Sequence, residues 1–156
     1  MKILLVDNGT SLLQKLQKLA GTEVTTKKWD EVVPTDASTY DLIILSGSSH
    51  YSVVRNYELF TKEVALIKSA KVPMIGICFG CELLAYTFGG KLGELKERSH
   101  GIKEIRFVEE GNSLKVHLNV YESHDWIISE LPKEFSVISV KFAYKILHAE
   151  KRDEIA

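Results

Sequence analysis

The chain has 156 residues, of which 45% are hydrophobic and 26% charged, a balance typical of a globular domain with one real core. Twenty basic residues against 21 acidic ones leave a formal charge of −1, so neither a nucleic-acid-binding basic face nor a solvating acidic tail is expected. No apolar stretch approaches the roughly 20 residues a membrane helix needs, and two cysteines make no disulfide framework, which places the chain in a reducing cytoplasm.

The N-terminus "MKILLVDNG" lacks the long apolar centre of a signal peptide and reads as a first strand, Ile3 to Val6, ended by the turn residues Asp7-Asn8-Gly9. Leu12, Leu13, Leu16, Leu19 and Ala20 follow helical spacing and stop at Gly21. Glu23 to Lys28 is a weak strand. "YDLIILSGS" is a strong one, continuously apolar, as in a strand covered on both faces. Tyr57 to Ala70 predicts a helix with Phe60, Val64 and Ile67 inward; "VPMIGIC" predicts the next strand and Glu82 to Phe88 the next helix. This alternation implies an α/β fold, a mostly parallel open sheet with helices on both faces. In the C-terminal half, "GIKEIRFV", "SLKVHLNVY" and "FSVISV" predict shorter strands, some antiparallel. With no repeat and no linker, a single domain over 1–156 is the simplest organisation.

The chemistry concentrates at "PMIGICFGCELLAYTFGG", residues 73 to 90. A strand, then Gly76-Ile77-Cys78-Phe79-Gly80, then a helix is the pattern of a nucleophile elbow. The turn holds Cys78 in a strained conformation, and the glycines let neighbouring backbone approach. A helix N-terminus facing the thiol lowers its pKa from the free value of about 8.5, and the same N–H groups can hold an oxyanion. Two other readings stand beside this one. Cys78 and Cys81 form a C-x-x-C pair of redox spacing, although two βα units precede it. Both cysteines also fit as small buried apolar residues, which for Cys81 is the favoured role. Zinc would need two more ligands, and the sequence offers no second C-x-x-C or H-x-x-x-H, so no metal site is expected.

With these residues the sequence resembles the class I, cysteine-dependent glutamine amidotransferases, whose elbow reads Gly-x-Cys-x-Gly-x-Gln. Ser46-Gly47-Ser48 in "LIILSGSSH" is similar to the family's Ser-Gly-Gly-Pro oxyanion loop. "YESHDWIISELP" resembles the Ser-His-Gly-Asp segment and trailing Leu-Pro of the amidotransferase part of GMP synthetases. The resemblance runs in order from Met1 to about Glu150 and implies a flavodoxin-like three-layer fold. It also implies glutamine as substrate, ammonia delivered to a synthetase partner, and no cofactor. It assigns Cys78 as nucleophile, backbone N–H groups near Gly47 or Ser48 and of Phe79 as oxyanion donors, and Glu82, Ser123 and His124 as substrate-binding residues. Simpler roles exist for three of these: Ser48 as a helix cap, Glu82 as a dipole-complementing first-turn acid, and His124 as a loop histidine with its bonds satisfied.

Two departures from the family pattern stand out. Glu82 replaces Gln; a carboxylate cannot donate amide hydrogen bonds, and its charge opposes thiolate formation nearby. The family's His-Pro-Glu segment does not occur in these 156 residues. His148-Ala149-Glu150 has the His-x-Glu spacing but aligns with a charged hairpin just before the strand that carries the family's pair. The implied alternatives to an ammonia-supplying glutaminase are a shortened domain, a non-catalytic module that binds glutamine or a partner, and a related γ-glutamyl cysteine hydrolase.

Overall fold

The computed structural model describes residues 1–107, 117–133, 135–141 and 144–149, with side chains for 1–104, 118–133 and 135. The chain divides into two compact units, Met1–Phe88 and Gly89–Ala156.

The first unit is the βα half foreseen above. Strands β1 (Ile3–Asp7), β2 (Val24–Lys28), β3 (Leu42–Leu45) and β4 (Met74–Gly76) form one sheet in the order β2-β1-β3-β4, every pair parallel. The continuous apolar runs at β1 and β3 are the two central strands, and Leu4, Leu5, Val6, Ile43 and Leu45 are sealed from solvent. Helix α1 (Leu13–Ala20) connects β1 to β2 and stops at Gly21, whose φ of 97° favours a residue without a Cβ. A 3₁₀ turn, Pro34–Ser38, precedes β3, and a buried Asp36 at its start accepts from Lys27 at 2.7 Å. Right-handed crossovers place α1 on one face of the sheet and the β3–β4 connection on the other.

That second connection differs from the single helix expected over 57–70. It is built in pieces: α2 (Val53–Asn56), a 3₁₀ turn over Tyr57–Phe60, and α3 (Thr61–Ser69). The break brings Phe60 into an aromatic cluster with Trp29, Tyr51 and Phe79, ring centroids 4.7 to 5.5 Å apart. Phe60, Val64 and Ile67 do face inward as the spacing required. Helix α4 (Phe79–Thr87) begins three residues earlier than the sequence pattern indicated.

The second unit is wholly antiparallel among the described residues. Strands β5 (Lys91–Phe107), β6 (His117–Glu130), β7 (Phe135–Lys141) and β8 (Tyr144–Ala149) pair in the order β6-β5-β7-β8. Two of these exceed expectation: β5 starts at Lys91 rather than near Gly101, and the "YESHDWIISE" stretch is strand. Ser113 to Val116 of the predicted "SLKVHLNVY" strand, the side chain of His148, and Glu150 lie outside the described residues.

Candidate active site

Cys78 is the N-cap of α4, two residues beyond Gly76 at the end of β4. Its backbone sits at φ 50°, ψ −111°, and it is the one non-glycine with positive φ among the described residues. Such a conformation costs on the order of 1–3 kcal/mol and persists only where the surroundings impose it. Here they do. Ile77 donates its N–H to the Leu45 carbonyl at 3.0 Å, the Ile77 carbonyl accepts from Gly80 N–H, and the Cys78 carbonyl accepts from Glu82 N–H, each at 3.0 Å. The flanking glycines are needed for space. A Cβ on Gly76 would lie 2.6 Å from the Cys81 backbone, and one on Gly80 would lie 2.4 Å from the Leu45 carbonyl oxygen. The Cys78 side chain is exposed.

The loop after β3 comes to the same sheet edge. A Cβ built on Gly47 would sit 3.5 Å from Cys78 Cβ and 3.6 Å from the Ile77 carbonyl oxygen, so the loop lies in van der Waals contact with the elbow. The Ser48 hydroxyl accepts from His50 N–H at 3.2 Å and Tyr51 N–H at 3.0 Å; it shapes the loop, while the cap of α2 is Ser52. What Ser48 has to offer a ligand is its backbone N–H. Phe79 is buried against Phe60, and its N–H is the first of α4. Glu82, in the first turn of α4, is 9% exposed.

Cys81 differs from Cys78 in kind. Burial, then the charges of Glu82 and Cys78, push its thiol up to about 12. Near pH 7 Cys81 therefore stays a thiol, and Cys78 is the exposed one of the two. Iodoacetamide at pH 7 is expected to modify Cys78 and spare Cys81 in peptide maps; prior modification of Cys81 would contradict the elbow.

In the second unit, strand β6 carries Ser123 and His124 on adjacent positions, so they point to opposite faces. Ser123 accepts from Arg98 at 2.9 Å on the face where Asp125 also meets Arg98. His124 Nε2 lies 3.6 Å from Glu122 Oε2, and both side chains are about one-tenth exposed. His124 is thus a strand residue rather than a loop histidine.

Among the described residues no group of three or more His, Cys, Asp or Glu is placed to hold a metal ion. No described helix is long and apolar enough to cross a membrane.

Residues 4–155 match the family model of class-I glutamine amidotransferases. The chain belongs to that family. The glutamine-hydrolyzing GMP synthase subunit of Saccharolobus solfataricus is 33% identical over 150 residues, covering 89% of this chain and 76% of that protein. The corresponding protein of Pyrococcus abyssi is 30% identical over 150 residues, covering 88% and 75%. The crystal structure of a candidate GMP synthase subunit from Thermoplasma acidophilum superposes with a TM-score of 0.82 at 21% identity, over 97% of this chain and 79% of that one. A glutamine amidotransferase from Thermotoga maritima superposes with a TM-score of 0.73 at 16% identity, over 96% and 71%. The amidotransferase fold is therefore the one observed: a parallel sheet flanked by helices, followed by antiparallel strands.

Behind the loop that follows β3 lie residues that sequence reading passed over. Asn8, in what reads as an ordinary turn, and Glu63, in what reads as a helix surface, are both fully buried beside Ser46. One signal was available for Glu63: it falls three residues after Phe60 and four before Ile67, on the apolar stripe of α3.

Proposed function

We propose that this chain hydrolyses the γ-amide of glutamine through Cys78 and passes the ammonia to a separate synthetase chain of the GMP synthetase type. The observation that carries the reading is the strained, exposed Cys78 at the head of α4 with the Gly47 loop packed against it. The thiolate sulfur attacks the amide carbon, a C–S bond forms, and the carbonyl electron pair moves onto oxygen. N–H groups of Gly47 or Ser48 and of Phe79 receive that oxyanion. Collapse breaks the C–N bond, and the proton from the thiol leaves with the nitrogen as ammonia. Water then cleaves the γ-glutamyl thioester to glutamate and restores the thiol. The balance closes with no cofactor.

Glu82 remains a candidate for the amino-acid end of glutamine on motif position, where a carboxylate suits the substrate ammonium, and so does one of Ser123 and His124, whose side chains face opposite sides of β6. The family match runs through both units, which supports reading them as one amidotransferase domain. The relatives that are themselves GMP synthase subunits support a partner chain that consumes ammonia. The cytoplasm, where thiols stay reduced, is the compartment this chemistry needs.

Hydroxylamine intercepts a γ-glutamyl thioester, so the test is γ-glutamyl hydroxamate formation from glutamine. Product is expected with Cys78 present and absent with Cys78→Ala. Product that survives Cys78→Ala, or no product from either form, would end the proposal. Full ammonia turnover by the 156-residue chain alone is expected to be slow, because a positioned general acid for the leaving nitrogen is worth about 10²- to 10⁴-fold.

A further inference from the structure

We propose that Asn8, backed by Glu63, is a positioning residue that aims the Gly47 and Ser48 N–H groups at the Cys78 thiol. The inference rests on the oxyanion-loop assignment above and deepens it. Asn8 follows β1, Ser46 follows β3 and Glu63 sits on α3; all three have no solvent exposure. The Asn8 side-chain amide donates to the Ser46 carbonyl at 3.1 Å and to Glu63 Oε1 at 3.1 Å. The Asn8 backbone N–H donates to Ser46 Oγ at 2.9 Å, and that hydroxyl in turn donates to the Gly47 carbonyl at 2.9 Å.

The carbonyls held this way are those of Ser46 and Gly47. Each shares a peptide plane with the N–H of the residue that follows. In a trans peptide the C=O and N–H of one plane point in opposite directions, and no peptide in the described residues is cis. Fixing the Ser46 carbonyl therefore fixes the Gly47 N–H, and fixing the Gly47 carbonyl fixes the Ser48 N–H. Both carbonyls are pulled inward by buried donors, so both N–H groups are turned away from the core. The loop carrying them passes 3.5 Å from Cys78 at the position of a Gly47 Cβ. Preorganised donors of this kind cost no reorganisation at the moment charge develops.

The network is also a poor choice for stability alone. Among the described residues, the buried Asn8 Oδ1 and Glu63 Oε2 meet no hydrogen-bond partner, and a buried polar atom left unmatched costs about 1–3 kcal/mol. A leucine would fill the α3 position with no such penalty. Glu63 instead supplies the acceptor that keeps the Asn8 amide from rotating. Burial raises the Glu63 carboxyl to about 8, so near pH 7 it is mostly neutral and accepts from Asn8 as a neutral group.

The test compares two reactions of Cys78 that differ in one respect. Acylation by p-nitrophenyl acetate develops an oxyanion; alkylation by iodoacetamide does not. Neither needs glutamine recognition. Asn8→Ala is expected to slow acylation about 10- to 100-fold while alkylation changes less than about twofold. Glu63→Leu is expected to slow acylation about tenfold, and Glu63→Gln, which keeps an acceptor, to restore most of it. Should Asn8→Ala not fold, Ser46→Ala removes only the hydroxyl that holds the Gly47 carbonyl and carries the same expectation. An acylation-to-alkylation ratio that stays at the wild-type value in these variants overturns the proposal. So does a wild-type Cys78 that is alkylated but never acylated. Protection of Cys78 by glutamine, measured in the same samples, tests the amidotransferase reading separately.

Discussion

Gly80→Ala is expected to destabilise the chain by about 3 kcal/mol or more and to dismantle the elbow. The new Cβ would meet the Leu45 carbonyl oxygen at 2.4 Å, Leu45 Cβ at 2.7 Å and the Leu45 carbonyl carbon at 2.8 Å. None of these atoms has room to retreat. Leu45 is fully buried, pairs with Val6 on one side and Gly76 on the other, and its carbonyl holds the Ile77 N–H. The first turn of α4 would have to lift from β3 instead, and Cys78 would lose the conformation its neighbours impose. Urea unfolding gives the stability; iodoacetamide labelling gives the state of the thiol. Gly21→Ala is the contrasting case. Among the described residues nothing lies within 4 Å of its Cβ position, and the positive φ is what opposes alanine, a penalty of about 1 kcal/mol. Equal, small effects from the two substitutions would refute the close-approach explanation of Gly80.

The second large effect concerns Glu63 and pH. Burial raises its carboxyl to about 8, against an ordinary value of 4.5, with the Asn8 hydrogen bond pulling weakly the other way. Between these values the folded chain holds a proton that the unfolded chain releases. Its contribution to stability is therefore complete below about pH 4.5 and is lost as pH rises through about 8, with a slope near 1.4 kcal/mol per pH unit inside that window. Glu63→Gln removes the titration. The stability of this variant relative to wild type should rise steadily between pH 5.5 and 7.5 (roughly 2–3 kcal/mol over the two units). Unfolding curves that stay parallel across this range would mean that Glu63 keeps its charge in the folded state.

What could be read from sequence, and what could not, divides along physical lines. The parallel half was legible because β1 is buried on both faces, and β3 on one with the other half-buried, so both print as unbroken apolar runs. The elbow was legible because only glycine tolerates the contacts at positions 76 and 80. The start of α4 was misplaced because Phe79-Gly80-Cys81 lack helical propensity; their hydrogen bonds and the Leu45 contact override it. Strand β5 was under-read because its first half is charged and its pairing with β6 shifts register between Glu94 and Ser99, which breaks the alternation. The Asn8–Ser46–Glu63 layer was invisible for a different reason. Hydrogen bonding between residues 38 and 55 positions apart has no local signature.

The close approaches at Gly76 and Gly80 are backbone meeting backbone. A lock of that kind stores no information in the side chains around it. The side chains of Ile77 and Glu82 add nothing to that lock, so the carboxylate of Glu82 and the pose of Cys78 are set by different contacts. Ligand contact and nucleophile geometry rest on different atoms here. Transplanting the nucleophile into another α/β sheet would thus mean moving the whole β3–β4–α4 unit, since the five-residue signature alone brings none of the surfaces that bend it.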